Sequence, residues 1–409
     1  MDALGRKLSL IVTEVPALLG WFLIYSATDV KMIYAGRFLT GLGSGMVGAP
    51  SRVYTSEVTQ PHLRGTLTAI ASVGVSTGVL ISYTLGAMLS WNICAGISAI
   101  LPAAALLLML FYPETPSYLI SVNKSEEARD ALQRFRSTAY DLDVEMNALV
   151  DFNNKNNIKR LTGFREIVNA LVQPNAVKPF ALLFLYFLIY QWTGTNAVTF
   201  YAVEIVAISG IELDKYMVTV FLGIVRLIST IVACVACRRY GRRPMTFISS
   251  LGCGITMLGL GSYIWMKDHL ASYGWIPISC IAGYTIACTL GFLVIPWVMI
   301  GEIYPVQIRG IIGGLTTMCA HVSIFSVVKT YPVLSESITQ HGTFLLYGTI
   351  SMLGTIYFYI YLPETKNKSL QEIEDYFSGR NDDLKTGKIN FSKPKFMEVR
   401  KGDVFPTIR

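Results

Sequence analysis

Glu57 and Arg64 stand seven residues apart in SEVTQPHLRG, and Glu302 and Arg309 repeat that spacing in GEIYPVQIRG. Each copy ends in glycine and runs into a fresh apolar stretch. A carboxylate and a guanidinium at the edge of an apolar segment suit an ion pair that forms and breaks, worth about 1 kcal/mol when partly exposed. Deeper in an apolar run, YQWTGTNAVTFYA sets Gln191, Thr193, Asn196 and Thr199 beside Trp192 and Tyr201. Amides and hydroxyls supply donors and acceptors and aromatic faces supply apolar walls, which suits a neutral polyol better than an ion. Trp297, after Pro296 in LVIPWVMIGE, is a second aromatic candidate. Hydrogen bonding between helices is the competing account of the amides, and packing that of the tryptophan.

The segments that must position these groups are long and apolar. The chain has 409 residues, of which 52% are hydrophobic and 15% charged, with a mean hydropathy of +0.48. Crossing a hydrocarbon layer of about 30 Å takes about 20 helical residues. Ten runs meet that length: 8–28, 32–54, 66–89, 91–112, 179–207, 216–236, 245–266, 274–300, 310–330 and 343–362. They predict an all-α polytopic membrane protein with ten transmembrane helices. Lysine and arginine concentrate in alternate connections: Arg6 and Lys7, Arg64, the stretch from Lys124 to Lys178, Arg238 to Arg243, Arg309 and the tail. That bias places these connections and the C-terminus in the cytoplasm. The sequons at Asn123, Asn367 and Asn390 fall on the same side, where they stay unglycosylated. Met1 is followed at once by DALGRK, which is not a signal peptide. Four histidines lack acids in catalytic spacing, and the seven cysteines lie in or beside apolar runs. No enzyme activity, metal, cofactor or nucleic-acid partner is expected.

The doubled decapeptide belongs to a longer duplication, with its second copy about 240 to 250 residues on. GRK at Gly5 recurs as GRR at Gly241, and PETPSY at Pro113 recurs as PETKNK at Pro363. Two homologous halves follow: residues 1–112 as an incomplete N-terminal half, 113–178 as a cytoplasmic linker, 179–362 as a six-helix C-terminal half, and 363–409 as a cytoplasmic tail. Two apolar runs precede GRR and none precedes GRK, so the expectation is a six-plus-six plan with the first two helices absent. The repeat also sets Asp2 against Arg238, an acid against a base. In the linker, KSEEARDALQRFR predicts an amphipathic helix with Ser125 as N-cap and Ala128, Ala131, Leu132 and Phe135 on one face. DLDVEMNALVDF and GFREIVNALV predict two more.

DALGRK, GRFLTGLGSG, VYTSEVTQPHLRGTL, PETPSYL, QWTGTNAVTFYA, RRYGRRP, IPWVMIGEIYPVQIRG and PETKNKSLQEIEDYF stand here in the order of a known family. From residue 2 to about 377 the chain resembles a sugar porter of the major facilitator superfamily, closest in texture to insect facilitated trehalose and glucose transporters. The resemblance implies the major facilitator fold and alternating access of a small neutral sugar held mainly by the second half. It implies sugar contacts at Gln191, Gly194 and Asn196, with Tyr190 in the place of a first glutamine, an outer gate at Tyr201, and Trp297 beneath the sugar. It implies a cytoplasmic gate of Arg6, Glu57, Arg64, Arg242, Glu302 and Arg309, with Arg37 as the fourth-helix arginine. The chain departs from the family at Tyr190, at Ser72 where a glutamine is usual, and at Arg226 where a neutral amide is usual. Its tenth-helix glycine and proline run reads GFLVIP, with Pro296 as the single proline. A mid-bilayer arginine costs about 3 kcal/mol or more unless paired or hydrated, and Glu14 and Glu204 are the acids nearest in type.

These readings point to facilitated diffusion of trehalose, glucose or a similar sugar across the plasma membrane, with the lipid bilayer as surroundings. The alternative is a non-transporting truncated relative, for example a nutrient sensor.

Overall fold

Runs of apolar residues about 20 long satisfy their backbone groups in a bilayer by coiling into helices, and each of the ten runs is helical over most of its length. The computed structural model describes residues 4–59, 61–136, 142, 143, 145–147, 149–151, 164–208, 214–266, 273, 275–305, 308–366, 368 and 370–378. Among these, eight stretches are long and apolar enough to cross a membrane. The expectation of ten differs at two runs. The helix over 32–54 has the length, but Arg37 and a glycine- and serine-rich stretch dilute its hydropathy. The run over 179–207 is interrupted and forms three shorter helices.

In the first half, α1 (Arg6–Tyr25) packs against α2 (Val30–Val58) and α4 (Trp91–Phe111), while α3 (Pro61–Met88) reaches toward the second half. Small residues bring α1 and α2 together, with Gly43 lying against Ala17 and Gly20 against Gly36, as interfaces without a hydrophobic driving force require. The linker contributes α5 (Pro116–Ser121), α6 (Ser125–Phe135) and α7 (Phe164–Val172). Ser125 is the first helical residue and Lys124 the N-cap, which corrects the cap expected from sequence. Ala128, Ala131 and Leu132 are buried as the amphipathic pattern requires, and Met146, Leu149 and Val150 of the DLDVEMNALVDF stretch pack on the cluster that includes Ala128 and Ala131.

The second half begins with α8 (Pro174–Trp192), α9 (Thr195–Phe200) and α10 (Ala202–Ile208). It continues through α11 (Lys215–Tyr240), α12 (Arg242–Trp265), α13 (Trp275–Leu290), α14 (Ile295–Ile303), α15 (Arg309–Ser337) and α16 (Thr339–Tyr361), and ends in α17 (Leu370–Ser378). Helix α12 packs between α13 and α16, and α8 packs against α14, α15 and α16. The main buried cluster lies wholly in this half and its flanking segments, from Ala176 to Phe377. The spans in α3 and α4 bury 6% and 11% of their residues, against 33–50% in the second half. The halves meet along α3 and α11. There the Ser76 and Thr230 hydroxyls lie 2.6 Å apart, and the Tyr83 hydroxyl donates to the Thr199 carbonyl at 2.6 Å.

Candidate functional site

The break between α8 and α9 is set by Gly194, whose φ of +91° is a left-handed conformation that side chains rarely adopt. A Cβ there would sit 2.5 Å from Tyr347 Cδ2. Freed carbonyls inside a membrane need donors, and side-chain hydroxyls supply them. Thr193 Oγ1 donates to the Tyr190 carbonyl at 2.7 Å, and the Tyr284 hydroxyl donates to the Thr193 carbonyl at 3.0 Å. Across the break, Asn196 Nδ2 donates to Gln191 Oε1 at 2.5 Å. Gln191 is 1% exposed, and its Nε2 is buried with no hydrogen-bond partner. The Tyr347 hydroxyl is in the same state.

A second break runs through Gly291 to Val294, between α13 and α14. The Phe292 amide donates to Ser249 Oγ at 3.1 Å, and Pro296 opens α14 where its missing N–H costs nothing. One proline therefore suffices for the interruption in GFLVIP. Trp297, in the first turn of α14, stands edge-on to Phe187 at 4.9 Å and to His321 at 6.2 Å. Arg52 of α2 reaches across from the first half and sets its guanidinium 5.3 Å from the Trp297 ring centre. Tyr190 is buried against Phe187 and Phe292. Tyr201 lies after α9 and packs on Tyr331 at 4.7 Å. Thus Gln191, Gly194 and Asn196 come together at one break and Trp297 at the other, bridged by Phe187, whereas Tyr201 lies toward α15.

Arg226 on α11 donates from Nη1 to Thr199 Oγ1 at 2.9 Å, and its Nε is buried without a partner. Neither Glu14 nor Glu204 pairs with it among the described residues. Helix positions around the bundle, which residue type does not reveal, decide that outcome.

At the basic end of the bundle the duplication becomes geometry. Arg6 donates to Glu57 Oε1 from Nε at 3.2 Å and from Nη2 at 3.1 Å, and Thr115 Oγ1 donates to Glu57 Oε2 at 2.6 Å. Arg242 donates to Glu302 from Nε at 3.2 Å and from Nη2 at 2.5 Å, and Thr365 Oγ1 donates to Glu302 Oε2 at 2.7 Å. The acids of the two PET motifs cap the starts of α1 and α12. Glu114 accepts from the amides of Arg6 and Lys7, and Glu364 from those of Arg242 and Arg243. An anion at a helix N-terminus satisfies free amides and complements the helix dipole. Gly5 and Gly241, with φ of +85° and +98°, lie directly against these carboxylates, where a side chain would collide.

Both ion pairs lie within a half. Arg309 donates instead to the Tyr304 carbonyl at 2.9 and 3.2 Å. Arg37 is exposed on α2. The side chains of Arg64 and Arg238, and all of Asp2, lie outside the described residues. Sequence reasoning missed Glu114, Thr115, Glu364 and Thr365 as ligands of the ion-pair network. The signal was present, because PET recurs at nearly the offset of the GRK and GRR loops.

The family model described as "Sugar (and other) transporter" matches residues 1–377. The chain is 34% identical over 377 residues to the facilitated trehalose transporter Tret1 of Bombyx mori, covering 91% of this chain and 74% of that protein. It is 34% identical over 383 residues to Tret1 of Anopheles gambiae, covering 93% of this chain and 48% of that one, so it spans about half the mosquito protein. Among solved structures, the inward open xylose transporter XylE from E. coli superposes with a TM-score of 0.75 at 21% identity, over 91% of this chain and 83% of that one. An all-helical bundle with doubled ion-pair loops, two interrupted helices and a family model matched from residue 1 to 377 has one consistent assignment: the chain belongs to the sugar porter family of the major facilitator superfamily, a family of multi-pass membrane transporters.

Proposed function

We propose that this chain carries a small sugar such as trehalose or glucose by facilitated diffusion, with alternating access around the two helix breaks. The observation that carries this reading is the Gln191–Asn196 amide pair at the Gly194 break, which leaves a buried Gln191 N–H pair free for a ligand. Trp297 at the second break offers the apolar face on which a sugar ring packs. The sugar-contact set is Gln191, Gly194, Asn196 and Trp297, with Tyr190 narrowing one wall and Tyr201 toward the outer mouth. Relatives described as facilitated trehalose transporters support trehalose as a first substrate to test.

The two ion-pair clusters stiffen the cytoplasmic end of each half, so that Arg6, Glu57, Arg242 and Glu302 let the halves rock as bodies. Arg309 closes the end of α14. The protein resides in the plasma membrane with its C-terminus cytoplasmic. A second reading, a sugar-sensing relative that binds without transporting, is favoured by Tyr190, whose buried ring fills space beside the amide pair.

Uptake of labelled trehalose and glucose into cells expressing the chain separates the readings. Transport predicts saturable uptake above mock cells that survives collapse of the proton gradient. Sugar binding to the purified protein with uptake at the mock level, despite surface expression, establishes the sensor reading instead.

A further inference from the structure

We infer that Arg226 forms a binding site for a small monoanion beside the proposed sugar site, a halide ion or a carboxylate. The inference rests on the sugar-transport reading for its location, and on the local chemistry for its sign. Arg226 borders a cavity of about 30 Å³, also lined by Thr195, Thr199, Tyr284, Thr285 and Thr289. Four of those hydroxyl hydrogens are committed to backbone carbonyls: Thr199 to Thr195, Thr285 to Ile281, Thr289 to Thr285, and Tyr284 to Thr193. Thr199 Oγ1 already accepts from Arg226 Nη1. The open donor is Nε of Arg226, buried and without a partner. What enters must therefore be an acceptor.

It must also answer a charge. A water molecule or a sugar hydroxyl would satisfy the N–H without answering the charge of the half-buried guanidinium. No described carboxylate forms an ion pair with Arg226. A half-buried cation with no paired acid gives this space a positive potential, which concentrates anions. A space of about 30 Å³ holds one or two heavy atoms. That size fits a chloride ion bound alongside a neutral sugar, or one oxygen of a sugar acid's carboxylate reaching in from outside the cavity.

The test uses the purified full chain in detergent. Thermal stability is titrated with chloride against the bulky anion of 2-(N-morpholino)ethanesulfonic acid at equal ionic strength, and binding of glucose, trehalose and glucuronate is measured in each salt. A free-anion site predicts stabilisation by chloride alone and sugar binding about tenfold tighter in chloride, the factor that one charge-assisted hydrogen bond supplies. A substrate carboxylate predicts glucuronate binding about tenfold tighter than glucose in either salt. Both preferences vanish in Arg226→Gln and persist in Arg226→Lys. Wild-type protein that distinguishes neither the two salts nor the two sugars overturns the proposal, whatever the variants do. If glucose and trehalose still bind in that case, the sugar reading stands alone. If chloride stabilises the protein and no sugar binds, the anion site stands and the sugar reading fails.

Discussion

The paired clusters at the basic end make a prediction in which one half serves as the control for the other. Glu57→Gln and Glu302→Gln keep the shape of the carboxylate and remove its charge, while Arg6→Gln and Arg242→Gln remove the partner. The side chains are 16% and 17% exposed in the first pair and 17% and 25% in the second. An exposed pair contributes about 1 kcal/mol or less, and breaking a fully buried one costs about 3–5 kcal/mol. Pairs covered to this degree, with two donors from arginine and a threonine hydroxyl on the same carboxylate, fall between these limits. We expect a coupling energy of about 2 kcal/mol from a double-mutant cycle in each half. The assay is equilibrium unfolding of the purified chain in detergent for each single and double variant. Because Nε, Nη2 and a threonine Oγ1 supply each carboxylate and only the distribution over its two oxygens differs, the two coupling energies should agree within about 0.5 kcal/mol, and the two cycles should add because they share no partner. Coupling below that margin in either half refutes the pairing. Strong coupling between Arg6 and Glu302 refutes its confinement to each half.

Two further perturbations address other links in the structure. Gly194→Ala combines a left-handed alanine, costing about 1–2 kcal/mol, with a collision against Tyr347. It should reduce sugar uptake at least about tenfold with surface expression retained, since 1.4 kcal/mol is a factor of ten, and wild-type uptake would show that the break needs no glycine. Arg136, 3% exposed, joins Glu145 at 2.6 Å and donates to the Val58 carbonyl at 2.9 Å, fixing the linker to the end of α2. Arg136→Ala should destabilise the protein by about 3 kcal/mol and open the linker to proteolysis. Arg136→Lys should fail to rescue, because lysine lacks the planar fork; linker cleavage at the wild-type rate in both variants would remove Arg136 from this role.

The helices were legible because length alone nearly dictates them: an apolar run of about 20 residues has few other ways to satisfy its backbone in a bilayer. The breaks turn on Gly194 and Pro296, which act on the local backbone, but hydropathy alone runs straight through 179–207 and 274–300. The ion pairs were legible as residues but not as partners. Seven residues apart on one continuous helix, Glu57 and Arg64 would share a face. The chain instead leaves α2 at Thr59 and begins α3 at Pro61, and that turn breaks the helical phase. Glu57 then meets Arg6, which the α1–α2 packing brings beside it. In the second half the same interruption after Ile303 frees the Tyr304 carbonyl, and Arg309 takes it up.

The arginines within the membrane show the limit most sharply, since residue type fixes the desolvation problem and not its solution. Arg226 invites a search for an acid along the sequence, yet a carboxylate helps only if its helix stands next to α11 at the same depth. The neighbours there are Thr199, from the short helix after the Gly194 break, and Tyr83, from the facing α3. Arg52, exposed on α2, sets its guanidinium over the Trp297 ring instead. Neither arrangement cancels a positive charge, and the proposed anion would supply that compensation for Arg226. A sequence reader sees two cations in apolar helices and looks for two acids. The bundle makes the ligand the natural place for at least one of the missing charges.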